Sequence, residues 1–134
     1  MQICARVTNS GTIHSATVGT NGRTQTVAIQ ARPDGPGSSL NGGELLCLAL
    51  ATCYCNDLYR EARRRGIGLQ LVEVEVSSTF HGRGEPASGV TYRARIQGSA
   101  SDTELLALLE ETDTVAEIQN TLRQGCPVRF AGTL

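Results

Sequence analysis

Residues Gly43–Asp57 have the sequence GELLCLALATCYCND, an apolar run that becomes polar only at its end. The helical pattern continues to Arg65, and Gly66 supplies a C-terminal stop signal. We therefore predict a helix from about Gly43 to Arg65. Its first half is apolar on all sides, whereas its second half is amphipathic.

The apolar half of this helix has a consequence for assembly. A helix without a polar face must be covered on several sides. A chain of 134 residues can hardly supply all of that cover. We therefore predict a homodimer that encloses the helix.

The composition is that of an ordinary globular protein. The 134 residues, 40% hydrophobic and 19% charged, predict a single domain over residues 1–134. A net charge of −1 offers no electrostatic surface for nucleic acid or for an anionic membrane. The N-terminal residues do not resemble a signal peptide, and the longest apolar run, 45–55, is too short to span a bilayer. We expect a cytosolic protein without nucleic-acid or membrane partners, and with most of its five cysteines reduced.

The segment before the helix predicts a β meander over residues 3–31. Asn9–Gly11 and Asn21–Gly22 are turn signals, and the Asn-Gly pair is a strong hairpin signal. Residues 32–39 are rich in glycine, proline and serine, and they predict a loop.

Two strands and two helices are predicted after the long helix. Apolar residues alternate with glutamates over 72–80 and with arginines over 90–96, so glutamates can face arginines across an antiparallel pair. Ser101–Glu104 is a capping box that starts one helix, and Thr114 with Glu117 predicts the start of another, ending at Gly125. Residues 127–130 predict a short final strand. The order β-β-β-α-β-β-α-α-β defines an α+β fold.

Cys53 lies where the apolar side of the long helix meets a polar side. One to two turns ahead of it are Asn56, Asp57 and Arg60. A reactive thiol needs such a boundary, since the thiolate is the nucleophile and its fraction depends on nearby charge and solvation. Arg60 would lower the pKa of Cys53 whereas Asp57 would raise it, so the sequence does not determine the direction of the pKa shift. The alternative is a packed thiol without function.

The other cysteines give weaker signals. Cys55 and Cys47 face apolar neighbours, and we predict that they pack in the core. A disulfide between Cys53 and Cys55 is incompatible with an intact helix, because their side chains point roughly 160° apart. No metal site is predicted, because Cys-x-Cys on a helix chelates poorly and because His14 and His81 have no partners at ligand spacing.

Four blocks of sequence support a family resemblance: Gly43–Leu46 after the glycine-rich loop, Leu48–Cys53, Arg63–Ile67 and Val72–Val76. Together they resemble the OsmC/Ohr family of osmotically inducible and organic-hydroperoxide-resistance proteins. The likeness extends over nearly the whole chain. It implies an OsmC-like fold in which antiparallel β-sheets pack around a long buried central helix. It also implies an intertwined homodimer with its sites at the subunit interface.

The resemblance implies a chemistry as well. Peroxidases of this family use one cysteine on the central helix, which attacks the peroxide and becomes a sulfenic acid. A second cysteine then forms a disulfide with it, which an external dithiol reduces. Cys53 matches the first position, and a glutamate that pairs with an arginine near the thiolate matches Glu44 or, one residue earlier, Gly43. The implied partners are a second copy of the chain, a small hydroperoxide and a dithiol reductant, with no cofactor.

The second cysteine has two possible matches. In one, Cys126-Pro127 corresponds to the Cys-Pro pair that opens the last helix of the family, although only residues 129–134 follow the Cys-Pro-Val segment. In the other, residues 115–130 align without gaps, Ala116 takes the place of the resolving cysteine, and Cys126 starts a strand. We favour the second match, in which the usual relay between two thiols is absent.

Three functions follow as hypotheses. The first is a thiol-dependent redox protein that reduces organic hydroperoxides through Cys53, with Glu44 and Cys126 as further candidate catalytic residues. The second is a non-catalytic OsmC-like dimer that binds a small apolar ligand. The third is a one-cysteine sensor or peroxidase whose oxidised thiol is resolved by a low-molecular-weight thiol.

Overall fold

The structure, a computed structural model, describes residues 1–133. The chain packs as two compact units, one formed by Met1–Leu45 and the other beginning at Leu46. The long helix contains the boundary between them. A single domain over residues 1–134 remains a prediction.

The first unit is built on an antiparallel sheet whose strands follow one another in space as β1 (Ile3–Ser10), β2 (Ile13–Thr20) and β3 (Arg23–Val27). Its second hairpin turns at Asn21 and Gly22, whose φ angles of 49° and 82° are both left-handed, as a two-residue hairpin turn of this kind requires. The predicted meander is thus confirmed. Residues 28–30, however, lie outside the strands.

The long helix α1 (Gly42–Arg64) matches the predicted helix to within one residue at each end. A capping box forms at its N-terminus. The backbone N–H of Glu44 donates to Asn41 Oδ1 (2.9 Å), and that of Asn41 donates to Glu44 Oε2 (2.7 Å). Gly66, with a φ of 69°, follows the C-terminal end as predicted.

The sheet of the second unit is a two-stranded antiparallel pair, β4 (Leu69–Thr79) and β5 (Ser88–Gly98). Its register places Glu73 opposite Arg95 and Glu75 opposite Arg93. The two ion pairs have N–O distances of 2.6 Å and 3.4 Å, respectively. The predicted pairing of charges across the two strands is therefore confirmed. Since these side chains are exposed, they contribute little to stability.

Two further helices follow, α2 (Asp102–Val115) and α3 (Glu117–Arg123). The predicted capping box is present at α2, where Ser101 Oγ accepts from Glu104 N–H. The second predicted cap is wrong. Thr114 lies inside α2, and its hydroxyl donates to the carbonyl of Glu111 (2.7 Å), so it cannot cap the next helix. Ala116, extended at φ −71° and ψ 106°, separates the two helices instead.

The predicted final strand is also wrong. No strand forms in the described tail, residues 124–133. Val128 and Phe130 are 96% and 92% exposed. Alternating side chains form a strand only where a neighbouring strand offers its N–H and C=O groups, and the described tail has no such neighbour.

The core of the second unit lies on one face of α1. Tyr54, Leu58 and Ala62 follow one another at intervals of four residues, and each is at most 3% exposed. They cluster with buried Leu108 and Ala116. Apolar side chains of the sheet pack against this cluster: Leu69, Val72, Val74, Tyr92, Ala94 and Ile96.

The apolar first half of α1 is not covered within one chain. From Leu45 to Leu50 only Leu50 is buried, and Leu48 is 57% exposed. The burial of the central helix on all sides is a prediction for the homodimer; within the single chain the first half lacks the packing partners that the second half has. The homodimer that would supply them remains a prediction. None of the described helices is long and apolar enough to cross a bilayer.

Leu58→Ala should destabilise the fold strongly. Leu58 is 0% exposed, and truncation of a fully buried leucine to alanine costs about 2–5 kcal/mol in the free energy of unfolding. Leu106→Ala is the matched control, because Leu106 is 55% exposed and surface changes cost about 0.5 kcal/mol or less. Urea unfolding followed by circular dichroism measures both variants. Equal losses would contradict the burial of Leu58 relative to Leu106.

Candidate functional site

Cys53 is half-buried on α1, with its thiol directed at a cluster of charged side chains. A spacing of four residues brings Asp57 to the same side of the helix, one turn further along. Cys53 Sγ lies 3.4 Å from Asp57 Oδ2, and the thiol donates a hydrogen bond to the carboxylate. The nearest polar neighbour of the predicted nucleophile is therefore an acid.

Asp57 carries its carboxylate into the protein interior, where the residue is only 3% exposed. Arg60 Nη1 lies 2.8 Å from Asp57 Oδ1. The same nitrogen contacts Glu117 Oε1 of α3 at 3.2 Å, and Arg60 Nε contacts Glu61 Oε1 at 3.0 Å. Because an unpaired buried charge costs several kcal/mol, Arg60 is needed to keep Asp57 in place. It also ties α1 to α3.

The break between α2 and α3 completes the cluster. Ala116 is extended and buried there. Directly after it, Glu117 Oε2 lies 4.0 Å from Cys53 Sγ, and the backbone N–H of Ile118 acts on the same thiol by lowering its pKa. The N–H favours the thiolate, whereas the carboxylate favours the neutral thiol.

Sequence analysis missed the roles of Glu117 and Ile118. It assigned Glu117 to a helix cap, and no local spacing connects Glu117 with Cys53, which lies 64 positions earlier. One signal could have found them. If the gap-free family match holds, Ala116 stands where peroxidases of the family carry the cysteine that reacts with the thiol on the central helix, and the residues after Ala116 would then be expected near Cys53.

The surroundings raise the pKa of Cys53 above its ordinary value. Burial is the largest cause, and the negative charges of Asp57 and Glu117 add to it, while the N–H of Ile118 opposes it. The pKa of Asp57 is raised too, by burial and by Glu117, against the opposing effects of the Cys53 thiol and Arg60. The direction of the Cys53 pKa shift, which the sequence left open, is therefore upward. Because the ordinary pKa of a cysteine already lies above neutrality, this shift favours the protonated thiol of Cys53 at neutral pH.

Glu44 lies in the first unit, where it has a structural role. Its carboxylate accepts the hydrogen bond from Asn41 N–H that closes the capping box of α1. A cap of this kind stabilises a helix by about 0.5–2 kcal/mol. The catalytic role implied by the family resemblance remains a prediction.

Cys126 is exposed in the coil that follows α3. Its Sγ lies 4.0 Å from the carbonyl of the adjacent Pro127. The cysteines of the chain, Cys4, Cys47, Cys53, Cys55 and Cys126, are all free thiols. Cys55 and Cys47 are half-buried, so they are less enclosed than the core positions predicted for them. No second sulfur is joined to Cys53 in this state of the protein.

Three potential metal ligands meet in the cluster. Sγ of Cys53 and carboxylate oxygens of Asp57 and Glu117 all lie within 4.8 Å of one another. Arg60 Nη1 already contacts both carboxylates, so it supplies the positive charge that a cation would bring. A metal ion would have to displace this guanidinium. We therefore interpret the cluster in terms of thiol and proton chemistry.

A cavity of about 260 Å³ opens elsewhere in the second unit, lined by Leu50, Val90, Tyr92, Gln119, Leu122 and Arg123. The Gln119 amide donates to the carbonyl of Leu50 (3.0 Å), and Arg123 Nη2 lies 2.5 Å from an oxygen of Asp113. Apart from Gln119 Oε1, these polar groups have partners within the protein. The cavity is suited to a small, mainly apolar molecule.

Alkylation of Cys53 by iodoacetamide should rise with pH through a pKa above that of an unstructured cysteine peptide. Burial and two carboxylates oppose formation of the reactive thiolate. Glu117→Gln should move this rise to lower pH, because it removes one negative charge. Mass spectrometry of the peptide that contains Cys53, over a pH series, measures both proteins. A wild-type midpoint at or below that of the reference peptide would contradict the assignment.

Comparison with known proteins identifies relatives. The family model described as OsmC-like protein matches residues 35–131. An OsmC-like protein from Mycoplasma pneumoniae is 19% identical, with 93% of this chain and 87% of that chain covered and a TM-score of 0.66. Two organic hydroperoxide resistance proteins have the same fold. The one from Legionella pneumophila is 18% identical, with 92% of this chain and 90% of that chain covered and a TM-score of 0.61. The one from Elizabethkingia anophelis is 17% identical, with 93% of this chain and 90% of that chain covered and a TM-score of 0.62. No curated protein gives a significant match. The chain, an α+β fold with antiparallel sheets and a long helix, belongs to the OsmC-like protein family.

Proposed function

We propose that the protein is a thiol-dependent reductase of organic hydroperoxides, with Cys53 as its nucleophile. The observation that carries the proposal is the placement of Cys53 Sγ, 3.4 Å from Asp57 Oδ2 in a charged cluster. A cysteine that only packs behaves as a small hydrophobic side chain and needs no buried carboxylate beside it. The relatives from Legionella and Elizabethkingia are named organic hydroperoxide resistance proteins, which supports the same chemistry.

In the proposed reaction Cys53 attacks the hydroxyl oxygen of a hydroperoxide, ROOH. The O–O bond breaks, ROH leaves, and the sulfur is oxidised by two electrons to a sulfenic acid. An external dithiol then reduces the enzyme in two steps. Its first thiol forms a mixed disulfide with Cys53 and releases water, and its second thiol displaces Cys53 as a free thiol.

Apolar side chains on α1 favour organic hydroperoxides over hydrogen peroxide. Leu50, Ala49 and Leu46 precede Cys53 by three, four and seven residues, so they lie on the same side of α1 as its thiol. Each CH₂ group that leaves water on binding contributes about 0.8 kcal/mol. Hydrogen peroxide has no such group, so it gains nothing from an apolar surface.

Glu44 and Cys126 are the other candidate catalytic residues. Glu44 already holds the cap of α1, so a catalytic role requires a further contact with an arginine near the thiolate. Cys126 is exposed and is not needed if the dithiol reduces the sulfenic acid directly. We favour direct reduction, because Ala116 occupies the resolving position in the gap-free family match.

A cytosolic homodimer is part of the proposal. Leu48 of α1 is 57% exposed, and Val128 and Phe130 of the tail are almost fully exposed. A second copy would remove this apolar surface from water, as exposed patches of this kind commonly require. The odd number of cysteines, five, argues against a closed disulfide framework, as is usual for cytosolic proteins.

One alternative is a non-catalytic OsmC-like dimer that binds a small apolar ligand. The cavity lined by Leu50 and Leu122 favours it, since the polar groups there are largely engaged within the protein. The raised pKa of Cys53 favours it as well, because a protonated thiol is a poor nucleophile. The two functions differ in what Cys53 does when it meets a hydroperoxide.

The wild-type protein should reduce cumene hydroperoxide with dithiothreitol as the electron donor. Cys53→Ser should lower turnover by at least about 100-fold, because a serine hydroxyl cannot be oxidised to a sulfenic acid and reduced again. Cys126→Ser is the matched control and should retain turnover. The loss of hydroperoxide with time measures all three proteins.

Each other outcome has a distinct meaning. No turnover in the wild type would favour the non-catalytic binder. Loss of turnover in Cys126→Ser as well as in Cys53→Ser would restore the relay between two thiols. A mixed disulfide between Cys53 and a low-molecular-weight thiol, detected by mass spectrometry after oxidation, would identify the one-cysteine sensor or peroxidase.

A further inference from the structure

The thiol of Cys53 donates a hydrogen bond to Asp57 Oδ2 at 3.4 Å, so its reaction requires movement of that proton. Cys53 must lose a proton to attack a hydroperoxide efficiently. The alkoxide that leaves must then gain a proton to become an alcohol. A single group that accepts the first proton and returns it serves both steps.

We propose that Asp57 is this catalytic group. Its Oδ2 accepts the proton of the Cys53 thiol during the attack and then donates that proton to the leaving alkoxide. This role rests on the proposed function of Cys53 as the nucleophile.

The geometry distinguishes Asp57 from the other nearby acid. Asp57 Oδ2 lies 3.4 Å from Cys53 Sγ, whereas Glu117 Oε2 lies 4.0 Å away. The side chain of Asp57 is 5% exposed and that of Glu117 is 65% exposed. Water therefore exchanges protons readily with Glu117, but a proton placed on Asp57 stays at the reacting atoms.

Arg60 orients the proposed acceptor. It holds Asp57 Oδ1 at 2.8 Å, which leaves Oδ2 facing the thiol. The titratable and charged groups around Asp57 are thus Cys53 and Arg60 of α1 and Glu117 of α3. Burial and Glu117 raise the pKa of Asp57, which makes its carboxylate a stronger base than that of an exposed aspartate.

The step is balanced in atoms and electrons: Cys53–SH + ROOH gives Cys53–SOH + ROH. The S–H proton moves to Asp57 as the S–O bond forms. The O–O bond breaks, and its electron pair leaves with RO. The proton on Asp57 then neutralises the alkoxide, so Asp57 returns to its starting state. The sulfur loses two electrons and the peroxide gains two.

The variant Asp57→Asn, tested with two electrophiles at pH 7, shows whether Asp57 accepts the proton of the thiol or acts only through its charge. Iodoacetamide expels iodide, which needs no proton, whereas cumene hydroperoxide expels an alkoxide, which does. The variant loses a negative charge beside Cys53, so alkylation should become severalfold faster. Single-turnover oxidation of Cys53 should become at least about 10-fold slower, since general acid–base catalysis contributes about 10²–10⁴-fold. The larger thiolate fraction in the variant offsets only part of that loss.

The two rates also separate failure of this role from failure of the proposed function. If oxidation and alkylation both became faster in Asp57→Asn, the role of Asp57 would be overturned while the function of Cys53 stood. If wild-type Cys53 were alkylated but not oxidised by the hydroperoxide, the proposed function would fail and this role with it. Mass spectrometry of Cys53 follows both reactions.

Glu117→Gln is the matched control. It too removes a carboxylate that faces Cys53, but one that takes no proton in the proposed step. Both alkylation and oxidation should therefore become faster together. Slower oxidation in Glu117→Gln, with unchanged behaviour in Asp57→Asn, would move the role to Glu117 and overturn the assignment.

A double variant keeps the test valid if Asp57→Asn does not fold. Asp57→Asn removes the buried partner of Arg60, which can be destabilising. The double variant Asp57→Asn with Arg60→Gln removes both charges together and is therefore compared with the wild type, after circular dichroism has established that it is folded. The ratio of oxidation to alkylation should be at least about 10-fold lower in the double variant. An unchanged ratio would overturn the proposal.

Discussion

The contact between Arg60 and Asp57 is the interaction on which the site depends. Asp57 is 3% exposed, and the guanidinium that lies 2.8 Å from its carboxylate offsets the cost of burying that charge. The same guanidinium reaches Glu117 at the start of α3. Helix α3 has seven residues and no side-chain cap, so it is too short to be stable by itself. Its position beside Cys53 must come from contacts such as this one and the bond from Gln119 to the carbonyl of Leu50.

This use of Arg60 explains the electrostatics of the thiol. The sequence places Arg60 where it could have lowered the pKa of Cys53, but its charge is balanced by Asp57, Glu117 and Glu61. Burial and the carboxylates of Asp57 and Glu117 therefore raise the pKa of the thiol. A raised pKa has a chemical advantage when a base is near, because the intrinsic nucleophilicity of a thiolate rises with the pKa of its thiol. A sulfur deprotonated only during the attack is more nucleophilic than a permanently stabilised thiolate.

What the sequence could predict depended on how local the determining contacts are. Helix α1, the Asn21-Gly22 hairpin and the cap at Ser101 each follow from residues a few positions apart, and the structure has all three. The contact between Cys53 and Asp57 follows from helical spacing in the same way. The approach of Glu117 does not, since it depends on how α3 packs against α1. The pattern at Thr114 failed because its hydroxyl bonds within its own helix.

The absent final strand and the exposed first half of α1 both concern contacts that the single chain does not make. The tail around Phe130 and the first half of α1 around Leu48 both carry apolar side chains that the single chain leaves exposed. A second copy that covered them would also change the dielectric surroundings of Cys53. Further burial alone would raise the pKa of the thiol still more and make a proton acceptor more necessary. Only a cation close to the sulfur would lower the pKa of the thiol instead. Arg60 cannot be that cation while it is paired with Asp57 and Glu117. The chemistry proposed for Cys53 is therefore governed by the charges that face its sulfur, and apolar cover by itself would strengthen the proposed dependence on Asp57.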